Sequence, residues 1–333
     1  MSVSPGKLKH LKALANSHGV IAAAAMDQRG SLQKSIAAAK GVSPDAVTQH
    51  EMEEFKIIVS KVLTPHASAI LLDPEFGLPA AAARDKNCGL LLAYEKTGYD
   101  ANTAGRLPDL LVDVSVKRIV DMGGDAVKIL LYYSPFDDPK INEIKHAFCE
   151  RIGAECEFHQ IPFFLEFIGY DHLGGSEKGV EYAKAKPEIV LQSMVEFSKP
   201  QYYVDMLKVE VPVNAEFVEG SSVYKGVSAY TRAQALEFYR KAADVASKPF
   251  IYLSAGVSND QFTESLAMAA EAGTAYSGVL CGRATWKEGI PVYGKHGAKA
   301  LEDWMSSEGV KNINAVNEAI KPATSLFKVL GLE

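Results

Sequence analysis

The sequence has 333 residues, of which 47% are hydrophobic and 23% are charged, so its composition is typical of a globular protein. Its net charge of −6 at pH 7 argues against a nucleic-acid partner, and the lack of any apolar run of about 18 residues argues against a membrane span. No C-x-x-C pair occurs among the cysteines, which predicts free thiols in a reducing cytoplasm; these are Cys88, Cys149, Cys156 and Cys281.

The predicted elements begin with an N-terminal helix over about residues 4–17, which we expect beneath the floor of a barrel. Eight short apolar runs follow, and they are near-continuous rather than alternating, which indicates strands that are covered on both faces. The runs are "GVIAAAAMD" (19–27), "ASAILLDPE" (67–75), "GLLLAYE" (89–95), "DAVKILLYY" (125–133), "PFFLEFIGYD" (162–171), "MLKVEVP" (206–212), "PFIYLSAG" (249–256) and "GVLCGRA" (278–284).

The segments between these runs look helical. Ser43 and Pro44 are expected to start one helix, and Ser258 another, while residues of about 292–330 should form a C-terminal helical extension. Eight strands alternating with helices predict an α/β fold, a single (β/α)8 TIM barrel domain over residues 1–333. A doubly wound open sheet is the alternative, which is weakened because no G-x-G-x-x-G follows the first strand.

Active sites of such barrels lie at the C-terminal ends of the strands, and two of these predicted strands carry lysines. Lys208 lies within the sixth apolar run and Lys128 within the fourth. A lysine removed from water and close to another cation loses affinity for its proton, and the neutral amine can form a Schiff base with a ketone. Glu166, in the fifth run, is well placed as the general acid/base of such a reaction.

A structural interpretation of the same residues stays open. Lys208 is two residues from Glu210 and therefore shares a strand face with it, so these two side chains can form an ion pair. Lys128 can likewise pair with Glu166. In that case the charges are a polar network inside the barrel rather than a catalytic group.

A metal centre is a further alternative. Of the eight histidines only His172 falls near a predicted strand end, so a histidine-ligated metal is not expected. Magnesium bound by the carboxylates of Asp27, Asp73 and Glu75 stays open.

Anion-binding signals follow the seventh and eighth runs. "LSAGVSND" and "LCGRATW" place small residues between a strand and a helix, where main-chain N–H groups attract a phosphate. Arg283 can add a charged contact. If the substrate carries a second anion, Arg29 in "MDQRG" is the candidate for its far end.

Long motifs of the sequence closely resemble the tagatose 1,6-bisphosphate aldolase family, from about residue 10 to about residue 320. The resemblance implies a metal-independent class I aldolase on a (β/α)8 barrel, which needs no cofactor and cleaves tagatose 1,6-bisphosphate to dihydroxyacetone phosphate and glyceraldehyde 3-phosphate. The motifs are "AMDQRG", "ILLDPEFGLPA", "GLLLAYEKTGYD", "RLPDLL", "DAVKILLYY", "IPFFLE", "LKVEVPVN", "YLSAGVS" and "GVLCGRATW".

The resemblance also implies roles for individual residues. It makes Lys208 the Schiff-base lysine, Glu166 the acid/base and Lys128 the second active-site lysine, with Asp27 near the substrate hydroxyls. The resemblance further implies two groups of residues that bind the anions of the substrate. The phosphate cup corresponds to Ser254, Gly256, Gly282 and Arg283, and the site for the anion at the opposite end of the substrate corresponds to Gln28 and Arg29.

Two loops that follow the fifth and sixth runs, "FIGYDHLGGSEKG" and "FVEGSSVYKGVSAY", contain no family motif, and loops tune specificity in this fold. An aldolase or transaldolase for a sulfonated ketose is therefore a second hypothesis, and a non-catalytic sensor of sugar phosphates is a third. A decarboxylase or isomerase would not need the lysine in the sixth run. We expect a phosphorylated ketose as the small-molecule partner and a homo-oligomeric assembly.

Overall fold

The computed structural model describes residues 3–96 and 103–333. Within these ranges eight parallel strands form a closed barrel in which each strand pairs with its neighbours in chain order, and the last strand pairs with the first. The strands are β1 (Ile21–Met26), β2 (Ala69–Leu72), β3 (Gly89–Ala93), β4 (Ala126–Tyr132), β5 (Phe163–Ile168), β6 (Met206–Glu210), β7 (Phe250–Leu253) and β8 (Gly278–Cys281). The predicted TIM barrel is confirmed, and the open sheet is not formed.

Alternation along the strands divides the apolar residues between two cores, because successive side chains point to opposite faces. One set fills the barrel interior and includes Ala23, Leu91, Phe164 and Met206. The other set, such as Leu207 and Val209 of β6, packs outward against the helices. Burial on both faces explains why the runs in the sequence are continuous.

Helices connect the strands in the order expected of a βα repeat, and further helices precede the first strand and follow the last. They are α1 (Pro5–Leu14), α2 (Gly30–Lys40), α3 (Gln49–Leu63), α4 (Leu78–Ala82), α5 (Val116–Asp121), α6 (Pro139–Phe158), α7 (Val180–Phe197), α8 (Arg232–Asp244), α9 (Asn259–Glu271), α10 (Arg283–Trp286), α11 (Gly289–Trp304), α12 (Val310–Ala319) and α13 (Leu326–Val329). None of the helices in the described ranges is long and apolar enough to cross a membrane.

Both ends of the chain close the floor of the barrel. Leu11 and Leu14 of α1 and Leu326 of α13 pack against the interior core, at the end opposite the strand C-termini. The helix expected over about residues 4–17 spans Pro5–Leu14, because the side chain of Asn16 accepts the N–H groups of the following turn.

One predicted helix start is wrong. Helix α3 begins at Gln49 rather than at Pro44, because Thr48 and Glu51 form a capping box that satisfies the first N–H groups of the helix. Residues Pro44–Ala46 form only a short 3₁₀ turn, and the side chain of Ser43 makes no capping hydrogen bond. The start of α9 after Ser258 is as predicted, with its own capping box.

Candidate active site

A cavity of about 410 Å³ opens at the C-terminal ends of the strands. Its position follows from the fold, since the loops that leave parallel strands meet at this end of the barrel. The lining includes most of the residues singled out in the sequence: Asp27, Gln28, Arg29, Glu166, Lys208, Ser254, Gly256, Gly282 and Arg283.

The charged groups of the cavity continue the inward-facing rows of the barrel interior. Lys208 stands two residues beyond Met206, Glu166 two beyond Phe164, and Lys128 two beyond Ala126, so each points inward. Glu166 and Lys208 are direct partners in the register of β5 and β6.

Glu166 lies between the two lysines. Its carboxylate is 2.7 Å from the Lys208 ammonium and 2.8 Å from the Lys128 ammonium. Of the two cations, Lys208 lines the cavity, whereas Lys128 is completely buried behind it.

Three carboxylates surround the Lys128 ammonium group. Asp27 lies at 2.9 Å, Glu166 at 2.8 Å and Glu95 at 2.7 Å. Burial alone would lower the pKa of Lys128, but these carboxylates outweigh it and raise the pKa well above its ordinary value. Lys128 is therefore held as a cation.

The pKa values of the three acids around Lys128 are shifted in different directions. For Asp27 and Glu166 burial raises the pKa, but Lys128 and Lys208 outweigh burial, so both carboxyl groups have a pKa below the ordinary range. For Glu95 burial prevails over Lys128 and Arg29, and its pKa is raised. The sequence interpretation missed Glu95 as a site residue, although it stands two residues beyond the inward-facing Ala93.

The ion pair between Lys208 and Glu210 that the structural interpretation requires does not form. Glu210 instead lies 3.2 Å from the ammonium group of Lys186 on α7 and accepts the N–H of Gly169 at 2.9 Å. These groups line an adjoining cavity of about 640 Å³. The pair between Lys128 and Glu166 does form, but as part of the larger cluster.

The residues predicted to form a phosphate cup lie together along the cavity. Gly256 has a φ of 78°, and a Cβ there would lie 2.6 Å from the guanidinium carbon of Arg283. Arg283 is exposed and lines the cavity. Ser254 and Gly282 line the same wall.

Arg29, the candidate for a second anion, is already engaged. It is only 3% exposed, and its guanidinium donates to Glu75 at 2.6 Å and to the main-chain oxygen of Glu95 at 2.7 Å. Ser31 and Lys34, in the first turns of α2, line the same end of the cavity and are exposed.

The turn that carries Asp27 and Gln28 is fixed from behind by Lys56. The ammonium group of this buried α3 residue donates to the main-chain oxygens of Met26 and Gln28, each at 2.8 Å, and it also pairs with Asp73. The residues on both sides of Asp27 are thereby held in place.

The carboxylates considered for magnesium do not converge on one point. Asp27 pairs with Lys128, Asp73 with Lys56, and Glu75 with Arg29. Within the described residues, no group of three or more His, Cys, Asp or Glu side chains is arranged to hold a metal ion.

Comparison with known proteins gives consistent matches. The model of the DeoC/LacD family aldolase matches residues 21–288. The chain is 51% identical over 325 residues to tagatose 1,6-diphosphate aldolase 2 of Enterococcus faecalis, covering 98% of this chain and 96% of that protein. It is 52% identical over 320 residues to tagatose 1,6-diphosphate aldolase of Listeria monocytogenes, covering 96% and 93%.

Solved structures with a similar fold share little sequence with the chain. A Schiff-base-forming fructose-1,6-bisphosphate aldolase has a TM-score of 0.56 at 14% identity, covering 94% of this chain and 98% of that chain. The fructose-bisphosphate aldolase of Plasmodium falciparum has a TM-score of 0.69 at 12% identity, covering 97% and 96%. At this low sequence identity, these similarities show a common barrel fold.

Proposed function

Because the chain belongs to the DeoC/LacD aldolase family, we propose that it cleaves tagatose 1,6-bisphosphate reversibly into dihydroxyacetone phosphate and glyceraldehyde 3-phosphate. Its chemistry is that of a carbon–carbon lyase. The single observation that carries the mechanism is the Lys208 ammonium group, which lines the cavity 2.7 Å from the carboxylate of Glu166.

The first half of the mechanism forms the Schiff base at Lys208. Glu166 takes a proton from the ammonium group, and the neutral amine adds to the C2 carbonyl of the ketose. Glu166 then returns the proton to the new C2 hydroxyl, which leaves as water. The product is an iminium ion that keeps the positive charge of the original ammonium, so atoms and charge balance.

The second half breaks the C3–C4 bond. The carboxylate of Glu166 accepts the proton of the C4 hydroxyl, the bonding electrons move into the iminium, and glyceraldehyde 3-phosphate leaves. The proton on Glu166 then goes to C3 of the enamine, and water releases dihydroxyacetone phosphate. The lowered pKa of Glu166 keeps the group ionised in the resting site, so that it starts each half of the mechanism as a proton acceptor.

Lys128 and Asp27 interact with the hydroxyl groups of the substrate in this proposal. The fixed charge of Lys128 stabilises negative charge that develops on the C4 oxygen, and Asp27 accepts a hydroxyl hydrogen bond. Their 2.9 Å contact supports a joint role.

The two phosphates are assigned to opposite ends of the cavity. The C1 phosphate binds at Ser254, Gly256, Gly282 and the exposed guanidinium of Arg283. For the far phosphate, Gln28 lines the wall, and Arg29 contributes its charge from behind. The exposed Ser31 and Lys34 are free to make the direct contacts.

Two further proposals concern the setting of the enzyme. All four cysteines are free and buried, which supports a reducing cytoplasm. Large apolar side chains such as Phe158 and Leu173 are 80% and 84% exposed, which supports a homo-oligomer, to be checked from the mass of the protein in solution.

Borohydride trapping tests the Schiff base. Reduction in the presence of dihydroxyacetone phosphate should attach one label to the wild-type chain, and peptide mapping should find it on Lys208. Lys208→Met should abolish the label and lower kcat by about 10⁴–10⁶-fold, as expected for loss of a covalent nucleophile. Label retained in Lys208→Met but lost in Lys128→Met would move the role to Lys128.

A coupled cleavage assay tests the substrate. Tagatose 1,6-bisphosphate should be cleaved with a kcat/KM at least about tenfold above that of a sulfonated ketose phosphate, because a phosphate carries more negative charge at neutral pH than a sulfonate and is attracted more strongly by Arg29 and Lys34 at the far end of the cavity. The C4 epimers of the sugar serve as controls for stereospecificity. Preference for the sulfonated sugar would contradict the assignment, and binding without cleavage of any sugar would favour a sensor.

A further inference from the structure

Glu95 is the one carboxylate beside Lys128 that the mechanism above does not use. We propose that Glu95 is a positioning residue that acts through Lys128, holding its ammonium group between Asp27 and Glu166 while remaining the neutral member of the three acids. This inference rests on the proposed function of the same site, which it deepens.

Each N–H donor of the Lys128 ammonium group has a carboxylate close to it. An ammonium group has three N–H donors, and three carboxylates stand around this one within 2.9 Å. The Glu95 contact, at 2.7 Å, is the shortest of the three. Without it, one donor of a completely buried cation would have no acceptor, and the ammonium would be drawn toward the other two acids.

The backbone of Glu95 is fixed on both sides. The N–H of Lys96 donates to the main-chain oxygen of Asp109, and the N–H of Leu111 donates to that of Tyr94. The main-chain oxygen of Glu95 accepts from Arg29. The side chain therefore projects from a rigid base, as a positioning group requires.

The count of charges in the cluster calls for one neutral acid. Two lysines, Lys128 and Lys208, face three acids, namely Asp27, Glu95 and Glu166. If all five were ionised, a net negative charge would be left in a nearly dry site, which is costly. A proton on one of the acids removes that charge.

Arg29 is the nearest additional cation, and it has a carboxylate partner outside the cluster. Arg29 lies 4.0 Å from Glu95, but it is already paired with Glu75. The other charges near Glu95 are Lys96 and Asp109, which are exposed on the following loop and 3.5 Å from each other. Among residues 3–96 and 103–333, these are the charged groups beside Glu95 in addition to Asp27, Lys128, Glu166 and Lys208 of the cluster.

Glu95 is the acid on which a proton fits. It is 4% exposed, and its Oε2 atom is buried with no hydrogen-bond partner in the described residues. A buried carboxylate in that position carries the cost of an unpaired charge, which the neutral acid avoids. The raised pKa of Glu95, set against the lowered pKa of Asp27 and Glu166, agrees with this assignment.

The consequence for catalysis is a dependence on pH. While Glu95 is neutral, the charge of Lys128 is available to Asp27 and Glu166 and to the developing charge on the C4 oxygen. When Glu95 ionises at higher pH, it competes for the ammonium group, and turnover should fall.

The test compares Glu95→Gln with Glu95→Ala over a range of pH. Glutamine keeps the carbonyl acceptor for Lys128 and cannot ionise, so its pH profile of kcat should lose the alkaline decline or move it upward by at least about one unit, with a loss at neutral pH of no more than about fivefold. Alanine should lower kcat by about 10–100-fold, with KM changed much less.

Controls separate this proposal from a general loss of structure or function. Glu210→Gln removes a buried carboxylate at the end of another barrel strand that pairs with Lys186 rather than with Lys128 or Arg29, and it should leave the midpoint of the alkaline decline in place. If Glu95→Ala fails to fold, the profile of Glu95→Gln still decides the matter.

An alkaline decline at the same pH in Glu95→Gln and the wild type would overturn the proposal, as would equal kcat values for the glutamine and alanine variants at neutral pH. Borohydride labelling of Lys208 should persist in both variants. Its absence from the wild-type enzyme would instead refute the proposed aldolase chemistry.

Discussion

Two completely buried lysines, Lys56 and Lys128, have opposite surroundings. Lys56 faces one carboxylate, Asp73, and two main-chain oxygens. Lys128 faces three carboxylates, and one of these is shared with the cavity-lining Lys208. Burial dominates at Lys56 and lowers its pKa, whereas the acids dominate at Lys128 and raise its pKa.

The difference separates a closed ion pair, which we interpret as structural, from the cluster that we propose as catalytic. The pair of Lys56 and Asp73 balances one charge with one charge, has no access to the cavity, and fixes a turn of the main chain. The cluster at Lys128 has more acids than bases and opens onto the cavity through Lys208 and Glu166. Groups that can exchange protons with a ligand are found in the second arrangement only.

The largest effect that the comparison predicts comes from Glu166, the acid common to both lysines of the cluster. Glu166→Gln should lower kcat by about 10²–10⁴-fold, because the amide can neither take the proton of Lys208 nor that of the C4 hydroxyl. KM should change far less, since the phosphate contacts remain. Steady-state kinetics of cleavage measure both quantities.

Glu210→Gln is the matched control for that experiment. Glu210 also lies at the end of a barrel strand beside a lysine, but its partner Lys186 lines the adjoining cavity. Its replacement should lower kcat by less than about fivefold, as expected for a group without proton transfer. Comparable losses in the two variants would mean that Glu166 acts by structure alone.

Much of the fold was predictable because a barrel strand must be apolar on both faces. The eight runs therefore stood out, and their ends marked where polar side chains converge. Lys208, Glu166, Lys128 and Asp27 all stand two residues beyond an interior apolar residue. Glu95 follows the same rule after Ala93, so the period of two also points to Glu95 as an inward-facing group.

The choice of partners was not predictable from spacing. Lys208 and Glu210 share a strand face, yet Glu210 turns toward Lys186, which comes from a helix whose placement the sequence does not give. Arg29 seemed free for an anion, but Glu75 and the main chain of Glu95 occupy it. The start of α3 differs from the predicted one because Pro44 begins only a 3₁₀ turn, whereas the capping box of Thr48 and Glu51 begins the α-helix.

The smaller effect that the comparison predicts is a loss of stability, and it tests the structural role of the ion pair between Lys56 and Asp73. Lys56→Met should lower the free energy of unfolding by about 3–5 kcal/mol, because Asp73 is left as an unpaired charge in the core. Urea denaturation measures this change, and borohydride labelling of Lys208 should persist in the folded fraction because the cluster keeps its charges.

The double variant Lys56→Met/Asp73→Leu shows whether the cost arises from the orphaned charge. It should regain part of the lost stability, since replacing both members of a buried pair is often close to neutral. Recovery should stay incomplete, because the main-chain oxygens of Met26 and Gln28 still lack the donor that Lys56 supplied. If the double variant were no more stable than Lys56→Met, the main-chain contacts rather than the ion pair would be what Lys56 contributes, and the contrast with Lys128 would be one of hydrogen bonding instead of charge.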